Sequence, residues 1–406
     1  MKTSNFLFGI CLFFSVLYFS SCVNDEVLIP ENEQAAFVQD SEVMQKSIAN
    51  LTIETGMTLA QMNAVIAAAA SGQTVYVQPG TYSITGKLTM KNGITLRPVS
   101  GTPVFDARTY NTSQLHEMAY TSDISNCKII GIAFYNIRYR VTDASNVIFN
   151  NCTFDYGVRK AGTDKAYLSD AYIHFLRVNQ GEIKYCTFSR RVNNSGRGVY
   201  NTGSTGIKIT NNTFGNGGTT GYFVTSINDN STDSYISANT VKRIASWVNA
   251  AETDHGIYTH SFYNMQIVGN NISGWPASEV GGSVKARNGD GLTISNNTFN
   301  NSGVMLYTYT HATQEYLKNV LVSGNTINLA GPPANNIYNG IGYWRNTTSG
   351  SEYSIRIENN ILPNGTIKAD FSSLVASDFN ANGGGVFNND KGAMYLKSGI
   401  NNSGNY

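Results

Sequence analysis

Charge is scarce in this chain. Asp, Glu, Lys and Arg make up 14% of its 406 residues, and the formal net charge is +1. An average domain carries about 25%. No run of basic residues offers a nucleic-acid footprint, so no nucleic-acid partner is expected. No glycine motif of the nucleotide-binding kind follows a strand and opens a helix. Proline is rare, at 8 residues. The 5 cysteines form no Cys-x-x-Cys or mixed His/Cys pattern, which argues against zinc and dithiol redox chemistry. Glycine, at 39 residues, and the aromatics Tyr (24) and Phe (19) are plentiful.

A short motif recurs instead. Ile-x-x-Asn-x-Phe, or a near copy, occupies Ile209–Phe214, Ile236–Val241, Ile267–Ile272, Ile294–Phe299, Val322–Ile327 and Ile357–Leu362. Earlier copies put Ile132, Cys152 and Cys186 in the Asn slot, before Phe134, Phe154 and Phe188. Successive copies are 20 to 35 residues apart, the irregular period of stacked coils. Each copy is long enough for one short, half-buried strand, which only the next coil can cover. Asn212, Asn239, Asn270, Asn297, Asn325 and Asn360 would then lie one above another. Stacked amides can hydrogen-bond from rung to rung, and Asn tolerates the left-handed backbone of a tight turn. The expected fold is all-β: a single right-handed parallel β-helix of about ten coils, since a solenoid core grows along one axis.

An open stack needs a lid. Thr58–Ala70 supplies one: Thr58 and Gln61 form a capping-box pattern, Leu59, Met62, Val65 and Ile66 make an apolar stripe, and Gly72 ends the helix. First strands are expected at Thr74–Val77 and Gly86–Leu96. The Gly-, Asn- and Ser-rich stretch Ala381–Tyr406 reads as a loose cap or frayed tail.

Residues 1–21 resemble a lipoprotein signal: Lys2, the apolar run Phe6–Phe19, then Ser20-Ser21-Cys22, similar to a lipobox with Phe19 in the usual Leu position. The run is too short for a settled transmembrane helix. The resemblance implies a lipid on Cys22, and Val23-Asn24-Asp25-Glu26 resembles the surface-export signal of Bacteroidetes lipoproteins. Residues 22–47 then form a flexible tether and residues 48–406 the β-helix. The expected location is the outer-membrane surface or the periplasm, with plain secretion as the alternative. Cys127 is expected in a strand. Cys152 and Cys186, on consecutive coils, would lie within disulfide range, although buried free thiols are the preferred reading.

Another strand precedes each Asn copy. Counting back from the ladder gives His174, Tyr200, Tyr258 and Lys285, and Val304–Thr310 aligns by pattern. Alternation sends Ile257, Val284 and Leu306 inward. Tyr258, Lys285 and Tyr307 then point outward in one column, and His260, Arg287 and Tyr309 in the next. Tyr200 and His174 extend the face, and Asp254 could orient His255 or His260. A local cluster of cations and phenols suits an anionic sugar chain. For each member the plain alternative is a solvated Lys or an ordinary β-forming Tyr.

Glycoside hydrolysis would need two carboxylates about 5–10 Å apart, and the face offers none. β-Elimination from a uronate needs a cation for the carboxylate, a base for the C5 proton and an acid for O4. Arg287 fits the first role. Lys285 would serve as base with a depressed pKa, which Arg287 and partial burial favour. Tyr258 would exchange the second proton, and His260 would share the carboxylate. Tyr200, His174, Tyr307, Tyr309 and His255 would bind the glycan.

These residues resemble those of the parallel β-helix polysaccharide lyases, over about residues 50–380. Gly72-Gln73-Thr74-Val75-Tyr76-Val77-Gln78-Pro79-Gly80-Thr81-Tyr82 resembles their first coil. Ser283-Val284-Lys285-Ala286 is similar to the catalytic-lysine strand of the alginate lyase and chondroitinase B family. That family's following Arg is absent from Leu306-Tyr307-Thr308-Tyr309, and Glu279 is the only nearby candidate for its calcium ligands. The Lys285 and Tyr258 pairing is similar to the metal-independent alginate lyases of polysaccharide lyase family thirty-one. The resemblance implies a lyase acting on alginate or another acidic polysaccharide; a monomer is expected, with no cofactor and calcium as the one metal left open. A non-catalytic glycan-binding protein, or an epimerase on the same scaffold, is the competing reading.

Overall fold

The computed structural model describes residues 51–406 except 111–115, 159–170, 190–196, 217–223, 244–254, 276–281, 310–314, 338 and 347–350. The expected signal, Cys22 and the tether therefore lie outside the described residues, as do Asp254 and Glu279. Asn50–Tyr406 forms one compact unit. Among the described residues, 33 strands join in a single network, and every pairing is parallel. The chain is a right-handed parallel β-helix.

Three walls run along it. One stacks Ile137–Thr142, Ala171–Leu176, Arg197–Thr202, Val224–Asp229, the starts of His255–Val268 and Gly282–Ser295, and then Val304–Tyr309 and Gly340–Asn346. The second stacks Lys128–Ile130, Ile148–Asn150, Glu182–Lys184, Lys208–Thr210 and Tyr235–Ser237. The third stacks Ala133–Tyr135, Thr153–Asp155, Thr187–Ser189 and Thr213–Asn216. His255–Val268 and Gly282–Ser295 run unbroken from the first wall into the second.

The repeated Phe builds the core. Phe134, Phe154, Phe188 and Phe214 stack with centroids 5.0, 5.1 and 4.5 Å apart, so one ring per coil fills the same slot. The Asn ladder closes the adjoining turn. Asn270 is typical: its backbone N–H donates to Asn297 Oδ1 at 2.8 Å, and its Nδ2 donates to Asn297 Oδ1 at 3.0 Å and to the Ile236 carbonyl at 3.0 Å. The amide thus satisfies buried backbone groups that the turn leaves unpaired. Cys186 and Cys152 continue the slot toward the N-terminus as free thiols. The Cys152 N–H lies 3.4 Å from Cys186 Sγ.

The left-handed residue is the one before the Asn, not the Asn itself. Asn211, Ala238, Gly269, Asn296, Gly324 and Asn359 have φ of 56°, 52°, 64°, 55°, 63° and 55°. The side chain of the Asn is occupied by hydrogen bonds, so the strain of the turn falls one residue earlier.

Several expected boundaries move. The lid helix spans Leu59–Ala68 with the full Thr58/Gln61 capping box. Met62 and Ile66 are its buried residues, Leu59 and Val65 pack partly, and the cap is Ala69. Gly72, at φ 89°, serves the turn into the first strand instead of ending the helix. Thr74–Val77 is a strand, but Gly86–Leu96 is not. Residues 86–94 lie outside any strand and pack Leu88, Met90 and Ile94 against the core, and the strand is Thr95–Pro98. Cys127 is buried just ahead of the strand Lys128–Ile130. The expected frayed tail is ordered coil: Gly385–Phe387, Asp390–Leu396 and Asn402–Ser403 pair in parallel, and Asn389 and Asn405 add two rungs to the ladder.

Candidate functional site

The first wall carries the cluster, and alternation decides which side chains reach solvent. In Ile137–Thr142, Ile137, Tyr139 and Val141 are buried while Arg138 and Arg140 are partly exposed. The same alternation buries Ile173, Val199, Ile257, Val284 and Val304. The register then runs Arg140, His174, Tyr200, the position of Ile227, Tyr258, Lys285 and Met305 along one column. His260, Arg287, Tyr307 and Trp344 share the next.

One expected register is corrected. Tyr307 was placed beside Lys285, but Met305 pairs there, and Tyr307 pairs with Arg287. The short Ser302-Gly303 turn sets this. The Val284 N–H donates to the Gly303 carbonyl, Ser283 Oγ lies 3.0 Å from the Ser302 carbonyl, and a Cβ on Gly303 would meet the Gly340 carbonyl at 1.8 Å. The backbone closes there before the Tyr pattern can choose a register. The shift is two residues, so both tyrosines keep their face. Tyr309 moves beyond the Arg287 column, beside Asn346.

The side chains still converge. Lys285 Nζ lies 5.6 Å from the Tyr258 ring centroid and 5.1 Å from that of Tyr307. The Arg287 guanidinium lies 5.6 Å from Tyr258 and 5.3 Å from Tyr309. Two cations and three phenol rings thus interleave at cation–π distance. Asn288 fixes the edge of the group. It is buried at φ 47°, and its side chain both accepts from the Tyr309 N–H and donates to the Tyr309 carbonyl at 2.9 Å. Sequence reading missed it, although Asn288-Gly289 is a turn signal. Tyr307 packs on Trp344 at 5.0 Å, and Trp344 on Phe371 at 6.2 Å.

The histidines sit deeper than expected. His255 is 1% exposed, with its ring 5.6 Å from Tyr258, so it underlies the tyrosine and is not placed to touch a glycan. It falls on the inward-facing parity of the strand, which the sequence reading overlooked. His260 is buried with Nδ1 3.1 Å from Ser261 Oγ. His174 is buried with its ring 4.7 Å from Tyr200. Burial first, then Arg140 and Arg138, lower its pKa to about 3.

Three residues on this wall went unread in the sequence. Arg138 and Arg140 alternate with Ile137, Tyr139 and Val141, a period-two signal that was available. Asp229 shares the register position of His260. Among the described residues no three His, Cys, Asp or Glu side chains gather as a metal site would require. A hollow lined by Gln180, Glu182 and Lys208 belongs to the second wall, away from the cluster.

Fold and surface together define a class: a parallel β-helix with a basic, aromatic strip along one wall. Neither a family model nor a curated protein matches the chain. Solved structures do. The ORF18 protein of Geobacillus virus E2 is similar at 12% identity and a TM-score of 0.50, covering 82% of this chain and 65% of that one. A polygalacturonase from Erwinia carotovora ssp. carotovora is similar at 11% identity and a TM-score of 0.49, over 87% of this chain and 96% of that one. An alginate lyase from Paenibacillus sp. str. FPU-7 gives 14% and 0.39, over 75% and 98%. At these identities the likeness concerns the fold.

Proposed function

We propose that the protein is a polysaccharide lyase that cleaves a uronate-containing acidic glycan, alginate first among them, by β-elimination. The observation that carries this reading is the Lys285 amine held between the Tyr258 and Tyr307 rings, with the Arg287 guanidinium also 5.6 Å from the Tyr258 ring. Arg287 pairs with the uronate carboxylate and stabilises the charge that develops as the C5 proton leaves. Lys285 and Tyr258 divide the proton work. One takes the C5 proton; the C5–H electron pair forms the C4–C5 double bond; the C4–O4 bond breaks; the other gives O4 its proton. His260 supports the carboxylate. The partly exposed ring of Tyr309 offers a face for a neighbouring sugar, while Tyr307, buried at 5% exposure, supports Lys285 from below.

The proposal extends to location and assembly. A lipid on Cys22 would hold a monomeric enzyme at the outer-membrane surface, where long glycans arrive. Palmitate labelling lost in Cys22→Ala, with release of the protein from membranes, is the expected result. Unlabelled wild-type protein would remove the anchor from the proposal.

The decisive experiment incubates the protein with alginate, pectate, hyaluronan and chondroitin sulfate, with and without calcium, and follows ultraviolet absorbance of the unsaturated product. Lys285→Ala should lower kcat by about a hundredfold or more. Binding without product on all four would make the cluster a recognition surface. Altered uronate stereochemistry without unsaturated ends would mark an epimerase, which shares the proton abstraction.

A further inference from the structure

Past the cations the two columns of the first wall part ways. In the column of Lys285 the next positions are Met305 and Gly342. Met305 is fully buried there, and with Tyr307 it forms an apolar group on which Ile337, Trp344 and Tyr309 pack. A Cβ on Gly342 would meet Ile337 Cγ1 at 2.2 Å, so Ile337 closes that column. The segment bearing Ile337 is tied down: Thr366 Oγ1 donates to the Ala334 carbonyl at 2.8 Å, and Lys368 Nζ to Asn335 Oδ1 at 2.6 Å. In the column of Arg287 the next positions are Tyr307 and Trp344, and Trp344 is partly exposed. Its indole lies 5.0 Å from the Tyr307 ring and is stacked 6.2 Å from that of Phe371. A ring already fixed by its neighbours loses little freedom when a ligand stacks on it. Arg345 and Lys368, on the same coils, are engaged with protein carboxylates. Arg345 Nη1 lies 3.6 Å from Glu352 Oε2 and donates to the Ser373 carbonyl, and Lys368 Nζ lies 3.7 Å from Asp370 Oδ1.

We infer that Trp344 is the platform of a further sugar subsite, reached along the Arg287 column, which takes a pyranose by its C–H face and requires no carboxylate on it. The negative face of the indole attracts the weakly positive C–H groups of the sugar. Ile337 and Phe371 make the surroundings apolar, which favours that face over a charged group. Rungs are about 4.8 Å apart, so Trp344 stands about 10 Å from Arg287. A pyranose in an extended chain advances by about one rung, which puts Trp344 under the second sugar beyond the one whose carboxylate Arg287 holds. Affinity gained here depends on chain length and not on ionic strength. The inference rests on the proposed function for the sugar at Arg287, but not for any bond broken there.

The test titrates hexasaccharides and disaccharides of alginate, pectate, hyaluronan and chondroitin sulfate into wild type, Trp344→Ala, Trp344→Phe and Arg287→Ala by calorimetry, at about 50 and about 500 mM NaCl. Unsaturated product is read in the same samples, kcat/KM replaces Kd where a hexasaccharide is cut, and matched circular dichroism checks folding. Trp344→Ala should weaken the hexasaccharide about tenfold at both salt concentrations and leave the disaccharide within about twofold. Trp344→Phe should recover most of the loss, and the Arg287→Ala loss should shrink at high salt. If Trp344→Ala does not fold, a hexasaccharide-induced shift in tryptophan emission, present in wild type and absent in Trp344→Phe, supports the platform in its place, and no shift in wild type overturns it. Equal losses on both lengths, no loss, or a loss that vanishes at high salt would overturn the platform and leave the lyase standing. Wild type that binds a hexasaccharide without cutting it, with the Trp344→Ala loss intact, would keep the platform and remove the lyase. Wild type that binds none of the four would remove both.

Discussion

At the residue scale, ring and hydroxyl can be separated on Tyr258. Its ring carries both Lys285 and Arg287 at 5.6 Å. Tyr258→Phe keeps that packing and removes the hydroxyl through which this residue moves a proton. It should hold KM within about threefold and lower kcat by about a hundredfold. A variant that loses KM and keeps kcat would restrict Tyr258 to stacking. His174 gives a second residue-level prediction. Its pKa in the folded protein is about 3, against 6.5 for an unperturbed histidine. As pH falls from about 6.5 toward 3, the unfolded chain takes up the proton first, so stability present above pH 6.5 is progressively lost. His174→Gln removes that uptake. The drop in Tm between about pH 7 and pH 4 should be smaller in the variant than in wild type. Lys285, Arg287 and Tyr258 could be read from sequence because alternation and coil spacing fix both face and rung. Arg140 could have been read the same way, but the repeat motif is weak in the early coils, where no Asn marks the register.

At the element scale, the ladder is the feature the motif announced most clearly. Asn297 illustrates what it does. Its Oδ1 accepts two hydrogen bonds from Asn270, and its Nδ2 donates to the Ile267 and Ser295 carbonyls and to Asn325 Oδ1. Asn297→Ala would orphan several fully buried groups and should cost about 3 kcal/mol or more, measured by urea denaturation. Asn405 sits at the exposed end of the same ladder, where water can replace it. Asn405→Ala should cost about 1 kcal/mol or less. Equal costs would show that the ladder does not bear on burial. The last two rungs were missed for a definite reason. The copy that begins at Val386 keeps its Asn at 389 but ends in Lys391, half-buried at the rim, where the motif asks for an apolar residue. The hydrophobic mark of the repeat is lost in this copy while the hydrogen-bonding mark persists through Asn389 and Asn405.

At the scale of the whole molecule, the stack is a one-dimensional object in which each coil depends on its neighbours. The segment Ala381–Tyr406 therefore covers the strands of the coil before it. Deleting residues 385–406 should uncover the strand edge of Ser351–Glu358 and Ile361–Ala369, lower Tm by several degrees and produce higher oligomers on size-exclusion chromatography. A truncated protein that stays monomeric with unchanged Tm would restore the frayed-tail reading.

The sequence alone determined the fold, because a period of coil length with one Phe and one Asn slot can be satisfied only by stacking. It also determined which side chains leave the core, since strand alternation is a local property of the backbone. Tertiary structure decided register where a turn intervenes. Close backbone approach at Gly303 and Gly340 set Tyr307 beside Arg287, and no pattern in Val304–Tyr309 encodes that contact. It likewise decided depth. His260 shares the outward column of Arg287, and only the packing of adjacent coils buries it.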